Sequence, residues 1–204
     1  MVCFLKRSWP AWLGIGLLLG VLLGLMVGGL WPDTPLHAVA TDHVEKFAIA
    51  TGPVDDGVEA VYFLDFLTGT LKCAVLSNQT RNFQAIYTAN IYGDLAEVIK
   101  LKNLEIDTAN KAMQRGGGGM RPRIEIPQNP SYMLVTGLID IRRGAAVRLR
   151  PGLAAVYVAE TNTGIVLAYV VPWSPDDHNT NRPVSAPMTL WAGEQFTTAV
   201  IRTP

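Results

Sequence analysis

Residues 57–75 read GVEAVYFLDFLTGTLKCAV, two runs of β-branched, aromatic and aliphatic residues separated by a short turn. Side chains of this kind suit a pleated, half-buried surface. Gly69 supplies the left-handed backbone conformation that a tight turn requires. The stretch therefore predicts a β-hairpin whose turn contains Asp65, Thr68 and Gly69.

The same pattern returns as GLAAVYVAETNTGIVLAYV at residues 152–170. The two stretches align without a gap and share a tyrosine, an acid before the turn and the Thr-Gly pair. Here the turn residues are Glu160, Thr163 and Gly164. An internal duplication and one favoured hairpin used twice both explain the match. A carboxylate before such a turn commonly accepts its N–H groups, so we expect a structural role for both acids.

Outside the hairpins the chain alternates strand-like runs with turn residues. Residues 94–113 are rich in helix formers and predict a helix, although Leu101, Leu104 and Ile106 could also alternate in a strand. The four glycines at 116–119 predict a flexible loop, and residues 172–187 predict a long surface loop. The fold class predicted for residues 54–204 is mostly β, or α+β, as a small antiparallel sandwich or open barrel. Residues 32–53 are predicted to be a stalk, in the middle of which residues 43–51 (HVEKFAIAT) could form a first short strand.

The N-terminal part predicts a transmembrane helix over residues 11–31, which carry no charge. A helix of this length spans roughly 30 Å, the thickness of a hydrocarbon core. Lys6 and Arg7 precede it, which places residues 1–10 in the cytoplasm and the main domain in the periplasm of a bacterial inner membrane. Tryptophans that would sit at the lipid interfaces flank the run: Trp9, Trp12 and Trp31.

Glycine recurs at every fourth position of that run, at Gly16, Gly20, Gly24 and Gly28. In lipid, small residues at this spacing let two helix backbones approach closely. The stripe predicts packing against another membrane helix, from a second copy or another subunit; a glycine-rich span that contacts only lipid is the alternative. A cleaved signal peptide also remains open, because Ala38-Val39-Ala40 fits a cleavage site after Ala40.

Charge is balanced overall but unevenly spread along the chain. Acids dominate residues 33–65 and arginines dominate residues 115–150. The two stretches could meet within the fold, remain solvated, or join copies head to tail. A net charge of zero does not indicate a nucleic-acid partner. Cys73 lies in a strand-like run and is expected to be a buried, inert thiol.

No motif indicates catalysis, a metal or a cofactor. The chain has no GxSxG elbow, no phosphate-binding glycine motif and no CxxC pair. Its histidines are His37, His43 and His178, and the local cluster Asp176-Asp177-His178 is expected to be solvated rather than metal-bound. An enzyme would need Asp65, Glu160 and His178 to meet in a cleft. A ligand-binding module would need a pocket beside Tyr62, Tyr157 and Tyr169.

The repeated hairpin resembles the strand–turn–strand element of β-propeller blades over about 20 residues, twice. A propeller needs typically 4–8 four-stranded blades, and the domain is too short for most of them. Residues 36–72, together with NPSYMLVTGLID, AAVYVAETNTG and VLAYVVPW, are similar to an uncharacterised bacterial family of single-pass, membrane-anchored β-rich proteins. That resemblance implies the same anchored location and no particular activity.

The sequence as a whole predicts a non-enzymatic, membrane-anchored extracytoplasmic protein. We expect it to act as a structural or assembly subunit of a membrane or envelope complex, with lipid and another membrane helix as its partners. An extracytoplasmic ligand-binding or sensory module is the alternative.

Overall fold

The computed structural model describes Gly14 and residues 16–21, 41–44, 46–116, 119–141 and 149–197. The chain divides into two compact units, Met1–Leu36 and His37–Pro204. In the first unit, residues 16–21 are helical. The remaining glycines of the stripe and the interfacial tryptophans lie outside the described residues. Among the residues described, no helix combines the length and apolar character needed to cross a membrane.

The second unit is built mainly of strands. In chain order the elements are β1 (Thr41–Val44), β2 (Phe47–Asp55), β3 (Val58–Asp65), β4 (Thr70–Leu76), β5 (Phe83–Asn90), α1 (Ile91–Gly116), β6 (Tyr132–Leu138), β7 (Arg150–Glu160), β8 (Ile165–Trp173), α2 (Pro175–Asn179), β9 (Val184–Pro187) and β10 (Thr189–Gln195).

These strands form two sheets, one with the order β1-β2-β3-β4-β5-β9 and one with the order β10-β8-β7-β6. All neighbours are antiparallel except β5 and β9, which are parallel. The sheets do not close into a barrel, and a cluster of buried residues from both sheets and α1 forms the core. The prediction of a mostly β fold is confirmed.

Both hairpins are present, as β3–β4 and β7–β8, and they share one register. Asp65 pairs with Thr70 in the first hairpin, and Glu160 pairs with Ile165 in the second. Each turn contains one left-handed glycine, since φ is +61° at Gly69 and +66° at Gly164. The turn chemistry of the two repeats is therefore the same.

The two hairpins nevertheless bury opposite faces. Tyr62 is fully buried in β3, whereas the equivalent Tyr157 in β7 is only half-buried. At the ends of β3 and β7 the second hairpin instead buries its residue more deeply: Glu160 is 1% exposed, whereas the equivalent Asp65 is half-buried. Side chains alternate between the faces of a strand, so a change of buried face inverts the burial of the equivalent positions between the two tyrosines and the turn acids.

Helix α1 contains the predicted helix and extends it at both ends. Asn90 caps its start, with Oδ1 accepting a hydrogen bond from the Gly93 N–H at 3.0 Å. Its buried residues recur at the spacing of one helix face, so that face packs on the core. They are Ile91, Leu95, Val98 and Ile99.

Strands also form within the segments assigned to the stalk and to the C-terminal loop, the first of them at the possible short strand over residues 43–51. Strand β2 begins at Phe47, inside the segment assigned to the stalk, and buries Ala48 and Ala50. The predicted loop over residues 172–187 contains helix α2 and strand β9, which pairs with β5 at the edge of the larger sheet. In residues 172–187 the apolar residues stand singly between prolines and asparagines, so the sequence shows no strand periodicity there. β9 is a strand because it pairs with the exposed edge of β5.

The sheets come into close contact where β2 crosses β6 and β7. A Cβ added at Gly52 would lie 3.2 Å from the Thr136 Cβ and 3.4 Å from the Ala154 Cβ. The Thr136 hydroxyl also donates a hydrogen bond to the Thr51 carbonyl oxygen. Glycine at position 52 therefore permits the backbone of β2 to approach the second sheet.

Helix α1 makes a similarly close contact with β10, and this contact gives a testable prediction. A Cβ added at Gly193 would lie 2.6 Å from Val98 Cγ2 and 3.1 Å from Leu167 Cδ2. Valine is stiff at χ1 in a helix, so it cannot turn away freely. We expect Gly193→Ala to lower the free energy of unfolding by about 1–3 kcal/mol, measured by urea denaturation.

A double-mutant cycle with Val98→Ala separates the steric overlap between the new Cβ and Val98 from any general effect of alanine in β10. Val98→Ala alone should destabilise by creating a cavity, but it removes the methyl group that a new Cβ would meet. The double variant should therefore lose less stability than the sum of the single variants. Strict additivity of the two losses would show that the contact is not the cause.

Candidate interaction surfaces

The two turn acids hold their own hairpins. The Glu160 carboxylate accepts hydrogen bonds at 2.7–3.2 Å from the N–H groups of Ser131, Asn162 and Thr163 and from the side chains of Asn162 and Thr163. Asp65 accepts from the N–H groups of Leu67 at 2.9 Å and Thr68 at 3.4 Å. Both carboxylates are thus engaged by turn donors.

The third member of the enzymatic hypothesis, His178, lies elsewhere. Its Nδ1 is 2.8 Å from the Gln84 Oε1. Because the Gln84 amide N–H groups donate to backbone carbonyls, Oε1 is the acceptor and Nδ1 carries the proton. Gln84 lies near the start of β5, whereas Asp65 ends β3 near the other end of the same sheet, roughly 20 Å away from the strand rise and spacing. Asp65 and His178 therefore do not share a site.

The cluster Asp176-Asp177-His178 belongs to helix α2 and is largely structural. Ser174 caps this helix by accepting from the Asp177 N–H, and the Asp177 carboxylate forms an ion pair with Arg182. Asp177 and His178 are buried rather than solvated as predicted, because Gln84 and Trp173 pack against the helix. Within the described ranges, no group of three or more His, Cys, Asp and Glu residues is arranged to hold a metal.

The three tyrosines suggested for a ligand pocket have separate environments. Tyr62 is fully buried beside Cys73, and burial raises the pKa of its phenol well above the usual value. Tyr169 is also buried, and its hydroxyl donates to Asp94 Oδ2 at 2.7 Å. Tyr157 faces the other side of its sheet. None of the three lines the cavity beside α1 or the smaller cavity beside Pro151.

Two further expectations from the sequence concern the thiol of Cys73 and the oppositely charged stretches. Cys73 is fully buried, and burial raises the pKa of its thiol far above the usual range, which keeps it protonated. Asp55 of the acidic stretch forms an ion pair at 2.6 Å with Arg150 of the basic stretch. The two stretches therefore meet within the fold at this point.

The outer half of α1 projects beyond the core and carries a returning chain on one face. Asn103 Nδ2 donates to the Ile124 carbonyl at 2.9 Å, and Oδ1 accepts from the Ile124 N–H at 2.8 Å. Asn110 makes the same pair of hydrogen bonds with Arg121. Each asparagine side chain thus pairs with the returning backbone as a neighbouring strand would.

The distance between Asn103 and Asn110 along α1 matches the distance between their backbone partners, Ile124 and Arg121. Seven residues of helix rise about 10.5 Å, and three residues of extended chain span about 10 Å. Asn103 and Asn110 can therefore match Ile124 and Arg121 in register. Asp107 lies between them on the same helix face and forms an ion pair with Arg123, whose guanidinium holds the pKa of that carboxyl below its usual value. We call residues 119–126 the return segment.

A groove lies between α1 and the return segment. Its volume is about 670 Å³, and its lining includes Ile99, Leu104, Ile124 and Ile126 together with Lys100. The asparagines were not among the residues selected from the sequence. The signal that could have found them is the set of polar residues at positions 103, 107 and 110, which share one helix face opposite a Pro-Arg segment.

The larger sheet exposes an outer face that is mainly apolar and that also carries Lys72, the exposed cross-strand partner of Phe63. Ile49 is the cross-strand partner of Phe63, Val61 of Ala74, and Ala74 of Ile86. Phe47 stacks on Phe63 with ring centroids 5.0 Å apart. We call this set the outer patch; its members are Phe47, Ile49, Val61, Phe63, Ala74 and Ile86. Leu76 and Phe83, which are paired and exposed, extend it toward the end of β4.

Comparison of the chain with protein-family models, with curated proteins and with solved structures finds no match.

Proposed function

We propose that this protein is a non-enzymatic assembly subunit. In this proposal residues 11–31 anchor it in a bacterial inner membrane, and its β domain pairs with a second copy on the periplasmic side. The observation that supports pairing best is the outer patch, because an apolar sheet face usually packs against another surface.

The size of the patch supports a protein partner. Its exposed members and the Leu76–Phe83 extension present on the order of 500 Å² of apolar surface, near the upper end for the largest patch on a monomer. The face spanned by β1–β5 measures roughly 24 by 26 Å from strand spacing and rise. A surface of that size approaches the roughly 800 Å² that each partner contributes to a standard interface.

A second copy is the partner that fits this face most simply. A sheet face packs well on another sheet face about 10 Å away. Two identical faces related by a twofold axis each supply what the other buries. The glycine stripe at Gly16, Gly20, Gly24 and Gly28 supports the same partner, because paired spans would hold two domains at a high effective concentration.

Full-length protein in lipid nanodiscs or detergent is the sample in which dimerisation through the outer patch is tested. Ile49 is 39% exposed on β2, beside its cross-strand partner Phe63 in the outer patch. Ile49→Lys places a charge in the proposed interface and should weaken dimerisation at least tenfold, measured by analytical ultracentrifugation and crosslinking. Ile86→Lys should act likewise, and Gly20→Leu with Gly24→Leu should weaken pairing of the spans.

Val135→Lys is the matched control. Val135 is 52% exposed on β6, which belongs to the other sheet, so this variant adds the same charge outside the outer patch. The dimer should survive it. A wild-type protein that remains monomeric at all concentrations, or an equal loss of dimer in Val135→Lys, would contradict the proposal.

The groove beside α1 supports a second candidate, an extracytoplasmic ligand-binding or sensory module. Its volume lies within the range of about 300–1,000 Å³ found for ligand sites. Selective NMR shifts of Ala96, Leu104 and Ile126 by small apolar molecules, without any change in oligomeric state, would favour this candidate over self-association.

A further inference from the structure

One face of α1 is exposed from Glu97 to Lys111, on the side of the helix opposite its buried residues. Residues 97, 104 and 111 are spaced by seven, which is close to two turns, so they share this face with a drift of about 20° per step. Leu101 and Leu104 lie on the same face and are 59% and 57% exposed. We call this face the helix stripe; its members are Glu97, Lys100, Leu101, Leu104, Thr108 and Lys111.

The return segment lies on another side of the helix and leaves the helix stripe open. It is held by Asn103 and Asn110, which lie roughly 100–120° around the helix from Leu104. Ile126 is 46% exposed and, with Leu104, lines the groove between the helix and the return segment. Exposed apolar surface therefore continues from the two leucines to Ile126.

The charges of α1 run in opposite order on the two sides of Leu104. Glu97 lies seven residues before it and Lys111 seven residues after it. Closer in, Lys100 lies four residues before it and Asp107 three residues after it. An antiparallel copy of the helix therefore brings acids level with bases, whereas a parallel copy would bring like charges together. The helix is complementary to itself in the antiparallel direction.

The outermost charges are available for such a contact. Among the described residues, Glu97 forms no salt bridge. Arg123 donates to both carboxylate oxygens of Asp107, and its guanidinium, with a smaller contribution from Lys111, holds the pKa of that carboxyl below its usual value. Because Arg123 already engages Asp107, the exposed Lys111 ammonium can turn to a second acid.

We propose that the helix stripe packs antiparallel against the helix stripe of a second copy, about a twofold axis that passes beside Leu104. The two helix axes lie about 8–10 Å apart, with the leucines of both copies between them. Glu97 pairs with the partner's Lys111 about 10.5 Å from the twofold axis, and the symmetry repeats this pair on the other side. Lys102 and Glu105 bind each other on the flank of the stripe.

This contact goes beyond the dimer of the proposed function, because it uses a different surface. α1 packs on the core, whereas the outer patch faces away from the core. One copy can therefore form both contacts at once. The helix stripe presents fewer apolar side chains than the outer patch, so we expect it to bind more weakly. It should join dimers into tetramers or longer rows at higher protein concentration.

Crosslinking between single cysteines tests the direction of packing. The parent is full-length protein in detergent with Cys3→Ser, since Cys73 is buried. Leu104→Cys should link to its own copy through a short bis-maleimide. Glu97→Cys should not link to itself, because its two positions are about 21 Å apart, but it should link to Lys111→Cys in a mixed sample. Self-linking of Glu97→Cys, or no linking of Leu104→Cys, would overturn the proposal. A stripe that instead contacts lipid or another protein gives this second result.

Charge exchange tests the ion pairs, with analytical ultracentrifugation at a series of concentrations as the readout. Glu97→Lys and Lys111→Glu should each weaken formation of species larger than the dimer about tenfold, because each turns two attractive pairs into repulsive ones. The double variant restores opposite charges and should associate within about threefold of wild type. A double variant that associates no better than the single variants would contradict the antiparallel pairing.

Asp56→Lys is the control, because Asp56 is exposed in the turn between β2 and β3. It adds the same charge outside the helix stripe and should leave association unchanged. An equal loss of association in Asp56→Lys would also overturn the proposal. An unchanged thermal transition shows that each variant is folded.

Failure of this contact and failure of the proposed function give different results. A dimer that Ile49→Lys disrupts, in protein without Leu104→Cys links, rejects the helix stripe and keeps the outer patch. Leu104→Cys links in protein whose association is unchanged by Ile49→Lys reject pairing through the outer patch and keep the helix stripe.

Discussion

Glu160→Ala is expected to lower the free energy of unfolding by about 2–4 kcal/mol, among the largest effects of any single substitution in the domain. Glu160 is 1% exposed, and its carboxylate accepts hydrogen bonds from the N–H groups of Ser131, Asn162 and Thr163. Alanine leaves these partly buried donors without their acceptor and removes a buried side chain. Chemical denaturation of the full-length protein in detergent measures the loss.

Asp65→Ala is the matched control, because Asp65 occupies the equivalent position of the first hairpin. Its carboxylate is accessible to water, so solvent can replace it as the acceptor for the Leu67 N–H. We expect a several-fold smaller loss of stability. Equal losses in Asp65→Ala and Glu160→Ala would contradict the conclusion that the two hairpins bury opposite faces.

The second large effect is expected at the contact between Asp55 and Arg150. The Asp55 carboxylate accepts from Arg150 at 2.6–2.7 Å and from the Trp173 indole N–H at 2.9 Å, which joins β2 to β7 and β8. Asp55→Ala leaves both donors without their acceptor. The expected loss is about 2–3 kcal/mol, less than for a fully buried pair because the Arg150 side chain is 32% exposed.

This contribution should depend on pH. Burial raises the pKa of Asp55, but the hydrogen bonds from Arg150, Trp173 and the Asp56 N–H outweigh it and hold the pKa below its usual value. The stabilisation is therefore complete above the unfolded pKa of about 3.9 and is lost as the pH falls through the lower folded value. The difference in stability between wild type and Asp55→Ala should narrow below about pH 4.

Asp56→Ala provides the control, because Asp56 is exposed and adjacent in sequence. It should leave stability nearly unchanged at neutral pH. A double-mutant cycle of Asp55→Ala with Arg150→Ala should give a coupling energy of about 1–3 kcal/mol. Additive losses, or a stability difference that does not change with pH, would show that the ion pair does not join the sheets.

Local features of the domain could be predicted well from the sequence. The hairpin turns depend on an acid, a Thr-Gly pair and two flanking runs of strand formers, and all of these are contiguous. The helix follows from helix formers over residues 94–113. The alternative prediction, a strand, is wrong, because the segment is a helix with Ile91, Leu95 and Val98 on one face against the core.

Long-range features could not be predicted in the same way. Strand β9 depends on the edge of β5, and the position of the return segment depends on Asn103 and Asn110, which contact backbone more than ten residues later in the chain. Such contacts join residues without a sequence period. The outer patch was also missed, because alternation within a strand does not say which face will be covered.

The sequence by itself determined the β character of the domain, its two hairpin turns and their common register, because these follow from local propensity and the period of two along a strand. The tertiary structure decided which face of each hairpin is buried, and so why Tyr62 and Glu160 lie inside while Tyr157 and Asp65 reach solvent. The physical reason is that burial belongs to the contact between the two sheets. One repeated sequence can present either face to that contact.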